Sequence, residues 1–291
     1  MLIVTYALNF LLMIAMPLVL GAWLARRPGL TWRLFGLGGL TFLLSQVVHI
    51  PLNTGLTLAF RQNLLPSPPA AYQLLFNAVV LGATAAFCEE LARYAVLKTW
   101  LRRERGWAKA LMFGAGHGGI EAILLGILAG VSYVNLILIR ENPALLNNLP
   151  AEQLALARSQ VEAYWSAPWY MSLMGAIERV FALCLHLSLA TLVMMTFLRQ
   201  QRRWLWLAIG WHWLVDGIAV YALPTLGALT TEALIGGMAA ISLGIVFALR
   251  RLEPPPPPAV TRPETPAETT AVLPTEGRIT AERLERSRFE P

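Results

Sequence analysis

Apolar residues along this chain come in long runs instead of the narrow stripes of a water-soluble helix or strand. Seven such runs stand out, at 3–24, 34–53, 72–100, 108–139, 168–198, 204–223 and 232–249. Each is close to the length needed to cross ~30 Å of hydrocarbon at 1.5 Å per residue. The pattern predicts an all-α fold: a polytopic bundle of about seven transmembrane helices in the cell membrane. Inside the second run, "HIPLN" puts His49 just before Pro51 and predicts a kink. In the loop 141–167, "PAEQLALARSQVEAYW" spaces Leu154, Ala157, Val161 and Trp165 at helical intervals. A short interfacial helix is expected there, lying on the headgroups or covering an opening. No internal repeat is evident, which weighs against a transporter built from inverted halves.

The pattern changes after the seventh run. "PPPPP" opens a stretch rich in Pro, Thr and Glu, too poor in apolar residues to fold. Two regions are expected: a transmembrane domain over 1–252 and a disordered, Pro-rich cytoplasmic tail over 253–291.

Composition agrees with a membrane protein. Hydrophobic residues make up 56% of the chain and charged ones only 14%, against roughly a quarter charged in a soluble domain. Basic residues concentrate in alternate loops: Arg26, Arg27 and Arg33, then Arg102, Arg103, Arg105 and Lys109, then Arg199, Arg202 and Arg203, and finally Arg250 and Arg251. By the positive-inside rule the N-terminus faces out and the C-terminus faces the cytoplasm. This asymmetry accounts for the isoelectric point near 9.7, so no nucleic-acid partner is needed. The partners implied are the lipid bilayer and a membrane protein or peptide. Cys88 and Cys184 both fall inside spans, where neither a disulfide framework nor a metal knuckle is indicated.

Ionisable residues inside the spans are the exceptions that carry chemistry, because a charge near the bilayer centre is costly and usually faces an interior. Span three holds Glu89, Glu90 and Arg93; span four, His117 and Glu121; span five, Glu178, Arg179 and His186; span six, His212 and Asp216; span two, Gln46 and His49. Glu89 and Arg93, His117 and Glu121, and His212 and Asp216 are each four apart, so each pair shares a helix face. At the helical rise, His117 lies ~15 Å from the basic-loop end of its span, Glu89, Glu90 and His186 ~15–18 Å, and His212 ~12 Å. Four helices thus bring Glu and His to one depth, as a single intramembrane site requires. Arg179 pairs with Glu178 in the simplest reading, as a structural element.

Two chemistries suit this set. A carboxylate withdrawn from water becomes a general base near neutrality, and of two adjacent carboxylates one holds a proton while Arg93 keeps the other ionised. A histidine from a facing helix then steadies the oxyanion. Alternatively, His117, His186, His212 and Glu90 would suit zinc, which lowers the pKa of a bound water to about 7. The cofactor is therefore none or zinc, with the glutamate version favoured. No HExxH is present.

Taken in order, "EELAR", "FGAGHGGIEA", "ERVFALCLHLS" and "WHWLVD" resemble the YhfC-like family of intramembrane peptidases. That family is similar to the CAAX prenyl endopeptidases, their bacterial Abi/CPBP relatives and the PrsW proteases. The resemblance implies that Glu89 and Glu90 activate water with Arg93 as charge partner. "FGAGH" matches F-x-x-x-H at Phe113 and His117, and "HWLVD" matches H-x-x-x-N/D at His212 and Asp216. Glu121, Glu178 and His186 follow the YhfC-like pattern. The CAAX group has three residues between the second Glu and the Arg. Here only Leu91 and Ala92 intervene, which is nearer PrsW and argues against a prenylated substrate.

The expected function is an intramembrane endopeptidase. His117 and His212 join the two glutamates and Arg93 as catalytic residues, and Phe113, Glu121, Glu178, His186 and Asp216 line the cavity. The alternative is a proton-coupled transporter using the same Glu/His cluster, since such chains also build proton relays. A silent scaffold that binds membrane peptides is a third reading.

Overall fold

The computed structural model describes residues 1–147 and 149–253, and the expected tail from 254 onward lies outside them. Among the described residues the fold is entirely helical. Seven helices are long and apolar enough to cross a membrane: α1 (Leu2–Ala25), α2 (Trp32–Arg61), α3 (Gln73–Thr99), α4 (Trp107–Glu141), α6 (Met174–Leu198), α7 (Arg203–Leu226) and α8 (Ala228–Arg251). The surface helix α5 (Ala151–Ser166) falls between α4 and α6.

Differences from the apolar runs lie at the helix ends. α2 continues through Pro51 to Arg61, some distance past the end of its hydrophobic run. A membrane helix tolerates proline when nearby hydroxyls occupy backbone carbonyls. Pro51 withholds a donor from the Val47 carbonyl, while Thr54 and Thr57 donate to the carbonyls of Ile50 and Asn53 at 2.8 Å, further along the helix. α7 passes into α8 at Gly227, whose φ of +77° breaks the helix without strain.

α4 and α6 form the centre. α1 and α2 pack on α4, α8 packs on α6, and α3 fits between α2 and α7. Nearly every residue of α6 from Leu185 to Thr196 is buried, as expected of a helix surrounded by others. α2 crosses α4 at van der Waals contact because Gly116 has no side chain: a Cβ there would lie 1.9 Å from the Phe35 carbonyl oxygen. In a membrane, where lipid is as apolar as the helices, such close approach supplies much of the association.

The basic-loop end is held by long-range bonds. Glu253 accepts from the Trp107 backbone N–H at 2.7 Å, placing a carboxylate at the N-terminus of α4. The Trp107 indole donates to the Val246 carbonyl at 2.7 Å, and Arg199 donates to the Leu252 carbonyl. Glu253, expected at the start of the tail, thus ties the end of α8 to the start of α4.

At the other end, α5 packs on α1. The Tyr6 hydroxyl donates to the Tyr164 carbonyl at 2.9 Å, and the two rings stack 3.8 Å apart. Among the described residues, none of α5 lines the polar cavity described below.

Replacing Gly116 by Ala forces α2 off α4 and is expected to cost about 2–3 kcal/mol, as overpacking of a tight contact does. Gly36→Ala, where a Cβ meets nothing within 4 Å, serves as the control. Thermal unfolding of both variants in detergent tests this; equal melting temperatures would remove the α2–α4 contact as a source of stability.

Candidate functional site

Helical geometry decides which of the two adjacent glutamates faces which neighbour, since consecutive side chains point about 100° apart. Glu90, fully buried, turns toward Arg93, three residues on and also fully buried. Arg93 Nη1 donates to both Glu90 carboxylate oxygens. Read from the sequence, Glu90 and Arg93 could form a buried ion pair, and the structure forms it at i,i+3 spacing. Breaking a buried pair of this kind typically costs 3–5 kcal/mol.

Both members of the pair reach other helices. His212 on α7 donates from Nδ1 to Glu90 Oε1 at 2.8 Å, and its Nε2 lies 3.3 Å from Asp216 Oδ2. Arg93 Nη2 donates to His186 Nδ1 on α6 at 3.3 Å. That contact leaves the proton of His186 on Nε2, which donates to Glu121 Oε2 on α4 at 2.7 Å. Glu121 in turn accepts from Arg179 Nη1 at 2.6 Å, and Arg179 also binds Glu178.

Glu89 faces the other way. His117 Nε2 lies 3.1 Å from Glu89 Oε2, and His212 Nε2 lies 4.0 Å from the same oxygen. The imidazoles of His117, His186 and His212 form a row, with centroids 5.1 Å and 5.8 Å apart. Gly118 permits this row, since a Cβ there would lie 2.6 Å from the His186 ring. The glycines of "GAGHGG" therefore serve both helix approach and site assembly.

A cavity of about 100 Å³ opens in front of these groups. Glu89, Glu121, His186, His212 and Asp216 supply its polar side, while Phe181, Ile235 and Met238 supply an apolar wall from α6 and α8. Glu178, with its side chain 47% exposed, and Asp216, at 34%, mark its rim.

The structure thus brings together Glu89, Glu90, Arg93, His117, Glu121, His186, His212 and Asp216, from four helices. Phe113 is not with them: it is fully buried in the apolar core and does not line the cavity. Its i,i+4 relation to His117 puts it one turn away, within the hydrophobic core. Arg179, read from sequence as a partner of Glu178 alone, is buried, lines the cavity and fixes Glu121. The adjacent Glu178 offered a sufficient local partner and hid the link to α4.

The potential metal ligands also differ from the expected set of His117, His186, His212 and Glu90. Glu89, His117 and His186 each offer one donor atom, all within 4.8 Å of one another. Glu90 is taken up by Arg93 and His212, and His212 is held by Glu90 and Asp216. Two histidines and a carboxylate are a donor set found in catalytic zinc sites. The buried Nδ1 of His117 has no hydrogen-bond partner among the described residues, so this side chain has coordinating capacity to spare. Glu89 and His117 are free to bind a zinc ion, and His186 joins them through Nδ1 once Arg93 Nη2 gives up its 3.3 Å contact there.

Residues 12–242 match the family described as YhfC intramembrane metalloprotease. The chain is 30% identical over 227 residues to a Bacillus subtilis (strain 168) protein named "Uncharacterized membrane protein YhfC", covering 75% of this chain and 84% of that relative. No solved structure gives a significant match. The matched segment contains every residue that lines the polar cavity, and the chain belongs to the YhfC intramembrane metalloprotease family.

Proposed function

We propose that this protein hydrolyses a peptide bond of a membrane-embedded protein or peptide, at a site centred on Glu89. The observation that carries the reading is the meeting of Glu89, His117 and His186 within 4.8 Å, with Glu89 and His186 lining an intramembrane cavity and His117 buried directly behind them. With the basic loops in the cytoplasm, that cavity opens toward the outer half of the membrane.

Glu89, His117 and His186 would hold the zinc ion, which lowers the pKa of a bound water toward 7 and polarises the scissile carbonyl. The remaining residues have separable tasks. Glu121 accepts from His186 Nε2 and so fixes the ring and raises its basicity. Arg179 keeps Glu121 in place. His212 presents Nε2 toward the cavity, 4.0 Å from Glu89 and 3.3 Å from Asp216. A proton at that nitrogen is positioned to stabilise a developing oxyanion and to reach the leaving amine. Glu90 and Arg93 hold His212 and His186 from behind, and their mutual neutralisation lets both remain buried. The apolar wall of Phe181, Ile235 and Met238 suits an aliphatic stretch of substrate and limits the water around the reacting bond.

Glu89→Gln keeps shape and removes the anion. As the loss of the one anionic ligand of the proposed metal site, it is expected to lower cleavage by at least about 10²-fold. New protein termini in membranes of cells expressing the wild type, and absent with Glu89→Gln, would identify both activity and substrate. Identical termini in the two would remove the protease reading and favour proton-coupled transport.

Metal dependence is tested separately. A zinc chelator is expected to stop cleavage, and added zinc to restore it. Glu121→Gln, which touches His186 from behind, is expected to weaken zinc binding ~10–100-fold without abolishing it. Unchanged affinity would leave Glu121 only a packing role.

A further inference from the structure

The Glu89 carboxylate has a second face, turned away from the cavity. Its Oε1 accepts a long hydrogen bond from Gln46 Nε2 on α2, at 3.4 Å. Gln46 Oε1 lies 3.2 Å from His49 Nδ1; an amide oxygen only accepts, so that nitrogen carries the proton. His49 Nε2 accepts from Asn53 Nδ2 at 2.9 Å and lies 3.3 Å from the Thr84 hydroxyl on α3. From Asn53 to His49 to Gln46 to Glu89, every hydrogen bond is donated toward the carboxylate.

This track lies in the wrong medium for an idle polar stripe. The neighbouring positions on α2 are apolar and face outward: Val48 is 60% exposed and Ile50 61%. Polar side chains at such depth are costly unless they serve a partner or line a polar space. At its far end the track meets a pocket of about 330 Å³ between α2 and α3, lined by Asn53, Thr57, Arg61, Gln73 and Asn77 among others. The Oδ1 atom of Asn53 is buried and has no partner among the described residues. Leu56, Phe60, Phe76, Val80 and Leu81 make much of the rest of that lining apolar, so the buried acceptor of Asn53, with Gln73 and Asn77, marks the polar side at which an ordered water fits.

Peptide hydrolysis consumes one water per turnover, and a substrate seated in the 100 Å³ cavity obstructs supply from that side. We infer that the seam between α2 and α3 is a water entry, distinct from the substrate cavity, that reaches Glu89 through Asn53, His49, Thr84 and Gln46. Its purpose rests on the protease reading; its existence does not. It also divides the labour of the carboxylate, with Oε1 held by the track and Oε2 facing His117.

The test is accessibility in lipid nanodiscs, which expose both membrane faces. With Cys88 and Cys184 replaced by Ser, single cysteines are placed at Asn53, at Thr84 and, as lipid-facing controls next to Asn53 and next to His49, at Leu52 and Val48. The probe is a small cationic methanethiosulfonate. A charged reagent pays at least a few kcal/mol to enter hydrocarbon, so Asn53→Cys is expected to react at least about tenfold faster than Leu52→Cys, and Thr84→Cys at least about tenfold faster than Val48→Cys. Reaction of both at the control rate overturns the water entry. Reaction at Asn53→Cys alone confines water to the pocket and overturns the track to Glu89. Labelling is read on the chain itself, so fast labelling in a protein that cuts nothing removes the protease reading and leaves the entry standing.

Discussion

The buried pair of Glu90 and Arg93 is the interaction on which the rest of the polar interior depends. Neither charge reaches water, and neither would be stable alone at that depth. Their pairing within α3 cancels most of the cost, and the remaining hydrogen-bonding capacity is directed outward to His212 on α7 and His186 on α6. One local pair thereby sets the position of two histidines from two other helices. It also releases Glu89, whose carboxylate remains available to His117, to the cavity and to Gln46.

A second constraint is the closeness of the helix crossings. Gly116 allows α2 to meet α4 in backbone contact, and Gly118 leaves space for the His186 ring beside His117. In lipid the hydrophobic effect adds little between helices, so packing distance and interhelical hydrogen bonds carry the assembly. Here the two coincide, because the crossing that brings α4 and α6 together also brings their histidines together. The same segment of α4 therefore serves stability and the candidate site, and the two cannot be altered independently there.

The interior is organised in layers around Glu89. Behind it lies the ion pair of Glu90 and Arg93; in front lies the cavity with His186, His212, Glu121 and Asp216; to the side runs the chain of amides and imidazole on α2. Hydrolysis inside a membrane needs an activated water, a substrate bond and a source of water where bulk solvent is excluded. In the proposed reading, the three layers would serve those needs.

Much of this could be read before any coordinates. Seven apolar runs of membrane-crossing length admit only helices, because backbone polar groups in lipid must be satisfied within their own segment. Charges placed inside those runs had to face an interior, and a constant rise per residue put Glu89, His117, His186 and His212 at one depth. Rotation about each helix axis was beyond reach. The adjacent glutamates differ by about 100°, so which one met Arg93 depended on how α3 settled between α2 and α7. Phe113 shares a face with His117 yet lies in the core, and Arg179 has a partner next door yet also grips Glu121. Sequence determines what a helix carries and how deep. Tertiary packing alone decides which side chain meets which, because azimuth is fixed by neighbours distant along the chain.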